Sequence, residues 1–241
     1  NIVCGWNSDE FDMLGVNLAQ HDDRYDQGQE WLDLVTRAWS STEPFDYDGE
    51  FYQVHKTDIN PKPYGGGRPV IVCAGNSPRG RDYAARNADM MFTNLRMHID
   101  EVPATISELK GMVAAYNREI GVFSNVAVVC RPTKKEAEEY FHYYAVENAD
   151  LDAVEYMIEG RGLKKPGVSG EALHAARLRA AGGNGALPII GDPDYVAALM
   201  KRLSECEISA LAIGFTNYLN EFPYFRDEVL PRLASKGLRT S

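Results

Sequence analysis

The chain has 241 residues, a formal net charge of −10 and a hydrophobic content of 44%. That length suffices for one large α/β domain or two smaller ones, and the hydrophobic content is that of an ordinary globular protein. The acidic balance argues against a nucleic-acid partner, whose phosphates would be repelled, but a local positive field still permits a small anionic ligand. No apolar run reaches the roughly 18 residues of a membrane helix, so we expect no membrane partner and no signal peptide.

The cysteines and histidines show no spacing that predicts a disulfide or a metal site. The four cysteines are far apart and form no CxxC pair, as is typical of reduced residues in a cytoplasmic protein: Cys4, Cys73, Cys130 and Cys206. The five histidines contain no HxH or HExxH pattern, so we expect no metal: His21, His55, His98, His142 and His174. The GxSxG nucleophile pattern is also absent, which disfavours a serine hydrolase.

The first sixty residues predict a strand, a loop, a helix and a hairpin. Residues 1–6 predict a buried strand, and because a chain seldom begins inside such a strand, we expect preceding residues to be missing. Residues 7–20 predict a polar loop whose apolar side chains plug the core: Phe11, Met13 and Leu14. Apolar residues recur at helical spacing from His21 to Trp39. Phe45 to Lys62 predicts a hairpin that turns at Asp48-Gly49 and covers a larger fold.

The stretch from Pro69 to Asn87 combines a strand, a glycine turn and the start of a helix. The apolar run from Val70 to Cys73 predicts a strand buried on both faces. Ser77 stands where a helix N-cap belongs, and Pro78 is the first helical residue. The unpaired N–H groups and the dipole at such a helix end favour a phosphate. We therefore expect an anion site at this turn.

The arginines beside this turn both support and limit that interpretation. Arg79 and Arg81 fall in the first helical turn, where they oppose the helix dipole, so a nearby anion would relieve them. Gly75 to Gly80 has the spacing of a Walker loop, but Arg81 and Asp82 replace its Lys and Ser/Thr. An Asp there would repel a triphosphate, so we reject a P-loop. An ordinary βα turn is the alternative.

The rest of the chain alternates strands and helices around one irregular segment. Strands are predicted at residues 90–93, 126–130 and 208–215, and helices at residues 103–120 and 223–234 and from Asp192. Thr133 and Glu136 form a capping box that starts another helix. Residues 150–188 are rich in turns around one helix at residues 171–181. We interpret this long insertion as a lid over an active site, with a plain surface excursion as the alternative.

The order of elements is strand then helix five times over, which indicates a parallel sheet with right-handed crossovers. Five such units fit an open doubly wound sheet. They also fit the last five units of an eight-unit barrel whose first three are absent, and the start inside a strand favours that arrangement. Ligands bind at the carboxyl ends of the strands in both cases.

Several segments together resemble the bacterial luciferase-like flavin-dependent monooxygenases. They are NIVCGWNSDEFDMLG at 1–15, HDDRYDQGQEW at 21–31, the hairpin DYDGEFYQV at 46–54, AGNSPRGRDYAARNAD at 74–89, and GDPDYVAALMKRL at 191–203 followed by DEVLPRL. The resemblance spans nearly the whole chain. Within the family it is most similar to the branch of pyrimidine, dimethylsulfone and alkanesulfonate monooxygenases.

The resemblance implies a TIM-type (β/α)8 barrel, with the first strands missing from this chain. It implies a single domain over 1–241, interrupted by the hairpin at 45–62 and the lid-like insertion at about 150–188. It also implies that FMN is bound at the carboxyl ends of the strands. The residues that match the family's flavin contacts are Asn1, Glu10, Arg24, Tyr25, Gly75 and Ser77. Cys4 stands where the family often has Thr or Ser.

The chemistry of three matched residues agrees with a phosphate ligand. Arg24 supplies a fixed charge and a fork of donors, Tyr25 supplies a neutral donor on a stiff ring, and Ser77 supplies a hydroxyl at a helix N-terminus. Taken singly, each is explained as well by an ordinary structural role. Arg24 then becomes a solvated charge at a helix start, and Tyr25 becomes a packing residue.

The implied function is a monooxygenase that uses reduced FMN and O2 to oxygenate a small organic molecule such as a sulfone, a sulfonate or a pyrimidine. The implied partners are that substrate and an NAD(P)H-dependent flavin reductase that supplies reduced FMN, and we expect a cytoplasmic homo-oligomer. No residue of this sequence is singled out as a catalytic base. The alternatives are a deazaflavin-dependent oxidoreductase on the same fold, for which Arg79 and Arg81 offer extra positive charge, and a non-catalytic flavin-binding protein.

Overall fold

The computed structural model describes residues 1–95, 99–164 and 167–239. The chain divides into two compact units. The first contains Asn1–Phe92 and Leu109–Ile120, and the second contains Thr93–Glu108 and the chain from Gly121 onward. The expected single domain over 1–241 stays a prediction.

The first unit contains three helices and four strands before residue 93. In chain order they are α1 (Ser8–Met13), α2 (His21–Ser40), β1 (Phe45–Asp48), β2 (Gln53–Thr57), β3 (Val72–Cys73), α3 (Pro78–Asn87) and β4 (Met90–Phe92). A 3₁₀ turn lies at Tyr64–Gly66. Helix α4 (Val102–Ala114) begins in the second unit and ends in the first. It is shorter than the predicted helix at 103–120.

The parallel strands of the first unit are short. Strand β3 pairs with β4 through Val72↔Met90 and Cys73↔Met91. The prediction of a buried strand at residues 1–6 is wrong: Ile2 forms one bridge with Cys73, while Val3 and Trp6 are 58% and 67% exposed. Gly5 has φ +87°, which turns the chain out of the extended conformation after this single bridge.

Strand β3 and the loop before α2 differ from expectation in burial. Val70 is 65% exposed while Ile71 and Cys73 are buried, so the strand covers one face and not both. Residues 8–13 form helix α1, because the Asn7 side chain accepts the Asp9 N–H and caps a first turn. Met13 and Leu14 are about four-fifths exposed, so they do not plug the core as predicted.

Helix α2 and the hairpin confirm the predicted elements, although the hairpin turns at other residues than predicted. Leu32 and Ala38 are buried on α2, whereas Trp31 is 40% exposed. Strands β1 and β2 pair antiparallel with Asp48 opposite Gln53, which leaves residues 49–52 as the loop. The Glu30 carboxylate on α2 accepts the backbone N–H groups of that loop, at 2.7 Å from Tyr52. A helix side chain therefore sets the hairpin turn.

The second unit is built on a parallel sheet of three strands in the order β6-β5-β7. The strands are β5 (Gly121–Cys130), β6 (Leu187–Gly191) and β7 (Ala210–Gly214). Val126 of β5 lies opposite Leu187 on one side and Ile213 on the other. Strand β6 was not predicted, because it follows a glycine-rich turn and contains Pro188, which removes a ladder donor. Its Ile189 is fully buried.

The helices of the second unit are α5 (Lys134–His142), α6 (Leu151–Gly160), α7 (Gly170–Gly183), α8 (Pro193–Glu205) and α9 (Tyr218–Ser235), with a π-helix at Tyr143–Glu147 and a 3₁₀ turn at Ile99–Glu101. The Thr133–Glu136 capping box is confirmed in full. Asp192 caps α8, and α7 confirms the helix expected at residues 171–181.

Within residues 150–188, α6 and α7 pack through a small apolar cluster. Val154, Ile158 and Ala180 are its buried members. Helix α6 was not predicted, and residues 165 and 166 lie outside the described part of the chain. The segment's role as a lid stays a prediction.

Candidate functional site

The predicted anion turn has free hydrogen-bond donors. Ser77 caps α3 by accepting the Gly80 N–H at 3.0 Å, as the sequence predicts. Its carbonyl accepts the Arg81 N–H at 2.8 Å. Within the described chain, the backbone N–H groups of Asn76 and Ser77 donate to no other group. Two backbone donors, the Ser77 hydroxyl and the positive end of the α3 dipole are therefore available to a ligand.

Gly75 and Gly80 make the turn compact. A Cβ on Gly75 would lie 2.8 Å from the Gly80 Cα, and a Cβ on Gly80 would lie 2.6 Å from the Tyr25 hydroxyl. Neither space admits a methyl group, so only glycine lets the turn, the first turn of α3 and Tyr25 approach this closely. The two glycines hold the free donors of the turn next to the Tyr25 hydroxyl.

Helix α2 contributes Arg24 and Tyr25 on its first turns. The Arg24 Nη1 donates to the Gly5 carbonyl at 2.5 Å, while its Nε is buried and has no hydrogen-bond partner among the described residues. Among the described residues, the Tyr25 hydroxyl also makes no hydrogen bond. An orphaned guanidinium nitrogen is costly unless a ligand or water satisfies it.

These residues line one cavity of about 480 Å³ in the first unit. One side of it is aromatic: the His21 and Tyr25 rings lie 5.3 Å apart, and the Tyr25 and Tyr83 rings lie 5.7 Å apart. The Tyr83 hydroxyl donates to the Gly28 carbonyl at 3.1 Å. The cavity thus joins a cationic, donor-rich end to a rigid aromatic wall.

Cys4 and Cys73 also line this cavity as thiols. Burial raises the pKa of the Cys4 thiol, and the Arg24 charge opposes that shift. Burial raises the pKa of Cys73 to about 11. Both sulfurs are therefore neutral near pH 7, so they add polarizable surface without negative charge.

Four of the six predicted flavin residues line the cavity together: Arg24, Tyr25, Gly75 and Ser77. Asn1 and Glu10 are not among its lining residues. Asn1 faces a neighbouring cavity of about 500 Å³, and Glu10 lies in α1, where its carboxylate accepts from the Asn7 side chain at 2.9 Å. The flavin roles of all six stay predictions.

The structure adds residues to this site that the sequence did not single out. Gly80 appeared only as the end of a rejected Walker spacing, and Tyr83 was given no role. Arg79 was expected to need an anion, but its guanidinium pairs with Asp26 and lies 3.7 Å from Asp82. Its charge is met by carboxylates, because α2 and α3 place these side chains side by side.

The second unit contains a separate cavity of about 480 Å³. Its polar side chains come from Asn125 of β5, Tyr144 of the π-helix, Asn184 after α7, and Thr216 and Tyr218 beyond β7. The Tyr144 hydroxyl donates to the Gly182 carbonyl at 3.0 Å. Burial raises the pKa of Tyr144, and its hydrogen bond with Thr216 opposes the shift.

Metal and membrane binding find no support in residues 1–95, 99–164 and 167–239. No group of three or more His, Cys, Asp or Glu side chains in these ranges could hold a metal ion, and His98 lies outside them. No helix within the same ranges combines the length and apolar character needed to cross a bilayer.

The fold and this site together define a class of α/β proteins with parallel strands and a turn after a strand whose backbone N–H donors are unused. Residues 1–209 match the model of the luciferase-like monooxygenase family, so the chain belongs to that family. The resemblance inferred from the sequence is thereby confirmed, as is the expected TIM-type α/β fold.

Individual relatives agree with this assignment. The chain is 29% identical over 238 residues to an FMNH2-dependent dimethylsulfone monooxygenase of Pseudomonas fluorescens, covering 96% of this chain and 64% of that protein. It is 22% identical to the pyrimidine monooxygenase RutA of Acinetobacter baylyi, covering 98% and 64%. A crystal structure of the long-chain alkane monooxygenase LadA superimposes with a TM-score of 0.80 at 20% identity, covering 100% of this chain and 63% of that one. The chain therefore spans slightly under two thirds of the length of these proteins.

Proposed function

We propose that this protein is a flavin-dependent monooxygenase that uses reduced FMN and O2 to oxygenate a small organic substrate. The observation that carries the proposal is the convergence of Arg24, Tyr25, Gly75 and Ser77 on one cavity with unused donors. Relatives that are named FMNH2-dependent dimethylsulfone monooxygenase and pyrimidine monooxygenase support it. The candidate substrates are accordingly a sulfone, a sulfonate or a pyrimidine-like ring.

The residues of the first-unit cavity fit the phosphate end of FMN. A flavin phosphate is close to a dianion and needs charge plus several donors. Arg24 supplies the charge, the Asn76 and Ser77 N–H groups supply fixed dipoles, and the Tyr25 and Ser77 hydroxyls supply further donors. The His21–Tyr25–Tyr83 wall offers flat surface to the apolar part of the same molecule.

In this proposal the bound reduced flavin supplies the activation of O2, and the protein supplies binding, orientation and exclusion of water. Arg24 and Ser77 hold the anionic end. Neutral Cys4 and Cys73 leave the cavity without a negative charge that would oppose it. An NAD(P)H-dependent reductase provides the reduced flavin, and the protein works as a cytoplasmic homo-oligomer without nucleic-acid or membrane partners.

A deazaflavin cofactor is the second candidate on this fold. It is longer and more anionic, and the sequence offered Arg79 and Arg81 near Ser77 for that extra charge. Arg79 is paired with Asp26 and lies near Asp82, so its share of this attraction is reduced, and we favour FMN. Fluorescence titrations with both cofactors separate the two: tighter binding of the deazaflavin would reverse the order.

The test of the FMN site is a pair of substitutions, each with a matched control. Arg24→Ala and Ser77→Ala should each weaken FMN binding by about 10- to 150-fold, because a charge-assisted hydrogen bond contributes roughly 1.5–3 kcal/mol. Arg37 lies on the same helix as Arg24 but outside the cavity, so Arg37→Ala is the control for Arg24→Ala. Ser169→Ala removes the equivalent N-cap of α7, and so matches the loss of stability of Ser77→Ala. Both controls should bind FMN normally.

Activity decides the remainder of the proposal. O2 consumption with reduced FMN, measured with dimethylsulfone, an alkanesulfonate and uracil, should rise with at least one of them. FMN binding that is indifferent to Arg24→Ala and Ser77→Ala would remove the site assignment. FMN binding that responds to both, without O2 consumption for any substrate, would leave a non-catalytic flavin-binding protein.

A further inference from the structure

We infer that the cavity of the second unit binds a neutral organic molecule that is flat and largely apolar. We further infer that this cavity selects against anions. The identification of this ligand as the organic substrate rests on the proposed function. The cavity measures about 480 Å³, within the range of small-molecule sites. That volume exceeds the needs of a molecule as small as dimethylsulfone and suits a ring.

The charge of the ligand follows from the lining residues. No lining residue, among those described, is Asp, Glu, Lys, Arg or His. Two charged groups lie outside this lining. The buried Glu221 carboxylate lies 3.5 Å from the Arg131 guanidinium, and the Arg161 guanidinium donates to Asn184 Oδ1 at 2.7 Å. An anion would find no counter-charge in the lining itself and would lose its hydration, which is strongly unfavourable. A sulfonate is therefore excluded.

The polar recognition follows from Asn125. Its Oδ1 is buried and has no hydrogen-bond partner in the described chain, and its amide nitrogen makes no protein hydrogen bond either. Native proteins rarely leave a buried polar atom such as this oxygen without a partner. The two ends of the amide can exchange by rotation, so the group serves a ligand that presents a donor, an acceptor or both. Pyrimidines and amides present both.

The shape of the ligand follows from the aromatic side chains. Tyr144, Phe215 and Tyr218 line the cavity, and the Phe215 and Tyr218 rings meet edge to face at 5.4 Å. Aromatic walls add favourable contacts for a flat ring beyond simple burial. Gly214 lies on the same wall with open space, since an added Cβ would be no closer than 3.6 Å to any neighbour.

The experiment measures binding of three probes to the full chain without flavin, by ligand-observed NMR or calorimetry. The probes are uracil, dimethylsulfone and ethanesulfonate. Uracil should bind best, dimethylsulfone more weakly, and ethanesulfonate should show no binding. Tighter binding of ethanesulfonate than of uracil would overturn the inference, and so would the absence of uracil binding at millimolar concentrations.

Two variants test the residues. Asn125→Leu should weaken uracil binding at least tenfold without lowering the melting temperature, because it removes an unpaired polar group. A merely structural Asn125 would instead lower the melting temperature and leave binding unchanged. Gly214→Val should narrow the cavity and weaken uracil binding several-fold, whereas Ala210→Val, on the same strand outside this cavity, should not. Normal uracil binding by folded Gly214→Val would refute the site. The same variants are also titrated with FMN. Normal FMN binding together with normal uracil binding would count against the second cavity and leave the flavin site unaffected.

Discussion

The two cavities have the same volume but opposite chemistry. The first-unit cavity is lined by Arg24 and by free N–H and hydroxyl donors, and it has no carboxylate among its described lining residues. The second-unit cavity has no ionisable side chain other than tyrosine among the residues described there. Each contains one orphaned buried atom, the Arg24 Nε and the Asn125 Oδ1.

If the two cavities bind the ligands proposed above, a protein of net charge −10 accepts both an anion and a neutral molecule. The first cavity offsets the global field with one arginine and a helix dipole, as local fields can. The second excludes charge altogether and relies on one amide and aromatic surface. In this proposal, selectivity depends on where charges are placed and not on the overall charge.

Gly80→Ala should have the largest effect, because the charged cavity depends on a contact that only glycine permits. Its methyl group would lie 2.6 Å from the Tyr25 hydroxyl and 2.9 Å from the Gly75 Cα. We expect FMN affinity to fall about 100-fold, equivalent to roughly 2.7 kcal/mol, with a loss of stability of about 1–3 kcal/mol from overpacking. Fluorescence titration and urea unfolding measure the two effects.

The matched control is Gly111→Ala, which is also in a helix of this chain. Nothing lies within 4 Å of the added methyl group, so stability should rise by about 0.5–1 kcal/mol and FMN binding should stay unchanged. If both alanine variants behave alike, the close approach of Gly75, Gly80 and Tyr25 has no role in the site.

Glu221→Ala tests whether the uncharged cavity depends on a charge placed behind its wall. The Glu221 carboxylate accepts the Asn217 N–H at 2.8 Å and so anchors the segment that lines the cavity. Removing it leaves Arg131 without this partner, and we expect a stability loss of about 2 kcal/mol together with weaker uracil binding. Urea unfolding and calorimetry measure these.

Glu138→Ala is the control for that substitution, because Glu138 pairs with Lys134 at the surface and should change stability by less than about 0.5 kcal/mol. Equal effects of the two variants would show that the buried position of Glu221 contributes nothing. If Glu221→Ala loses stability but binds uracil normally, the Glu221–Arg131 pair stabilises the fold without shaping the uracil site.

Acid should weaken the first unit slightly through Asp89. The Asp89 carboxylate forms a bidentate pair with Arg68 and accepts the Ile71 N–H at 2.9 Å, which together lower its pKa below 3.8. A depressed carboxyl pKa contributes stability that is present above the unfolded value and is lost as pH falls through the folded value. Because the pair is about one-third exposed, we expect no more than about 1 kcal/mol.

Urea unfolding between pH 2.5 and 6 checks this prediction. Asp89→Asn should be less stable than the wild type near pH 6 and should approach it as the pH falls below about 4. A constant difference across this range would show that the Asp89 charge is not the cause.

Local chemistry made part of this structure readable from sequence. Ser77 and the Thr133–Glu136 pair were correctly placed as caps, because each cap bonds a residue three positions away and needs no tertiary contact. Burial was less predictable. Residues 1–6 are as apolar as a core strand, yet Val3 and Trp6 are exposed, since the pairing of neighbours and not composition decides what a strand covers.

The amino-acid sequence was enough to place the chain in its family, to order most of its helices and strands, and to predict the cap and the turn at Ser77. Tertiary packing was needed to show that Tyr25 meets Gly80, that Arg79 is paired with Asp26, and that Asn125 lines a second cavity. These facts join residues distant along the chain. They depend on how helices and strands pack, and the alternation of residues within one segment carries no information about which distant segment will face it.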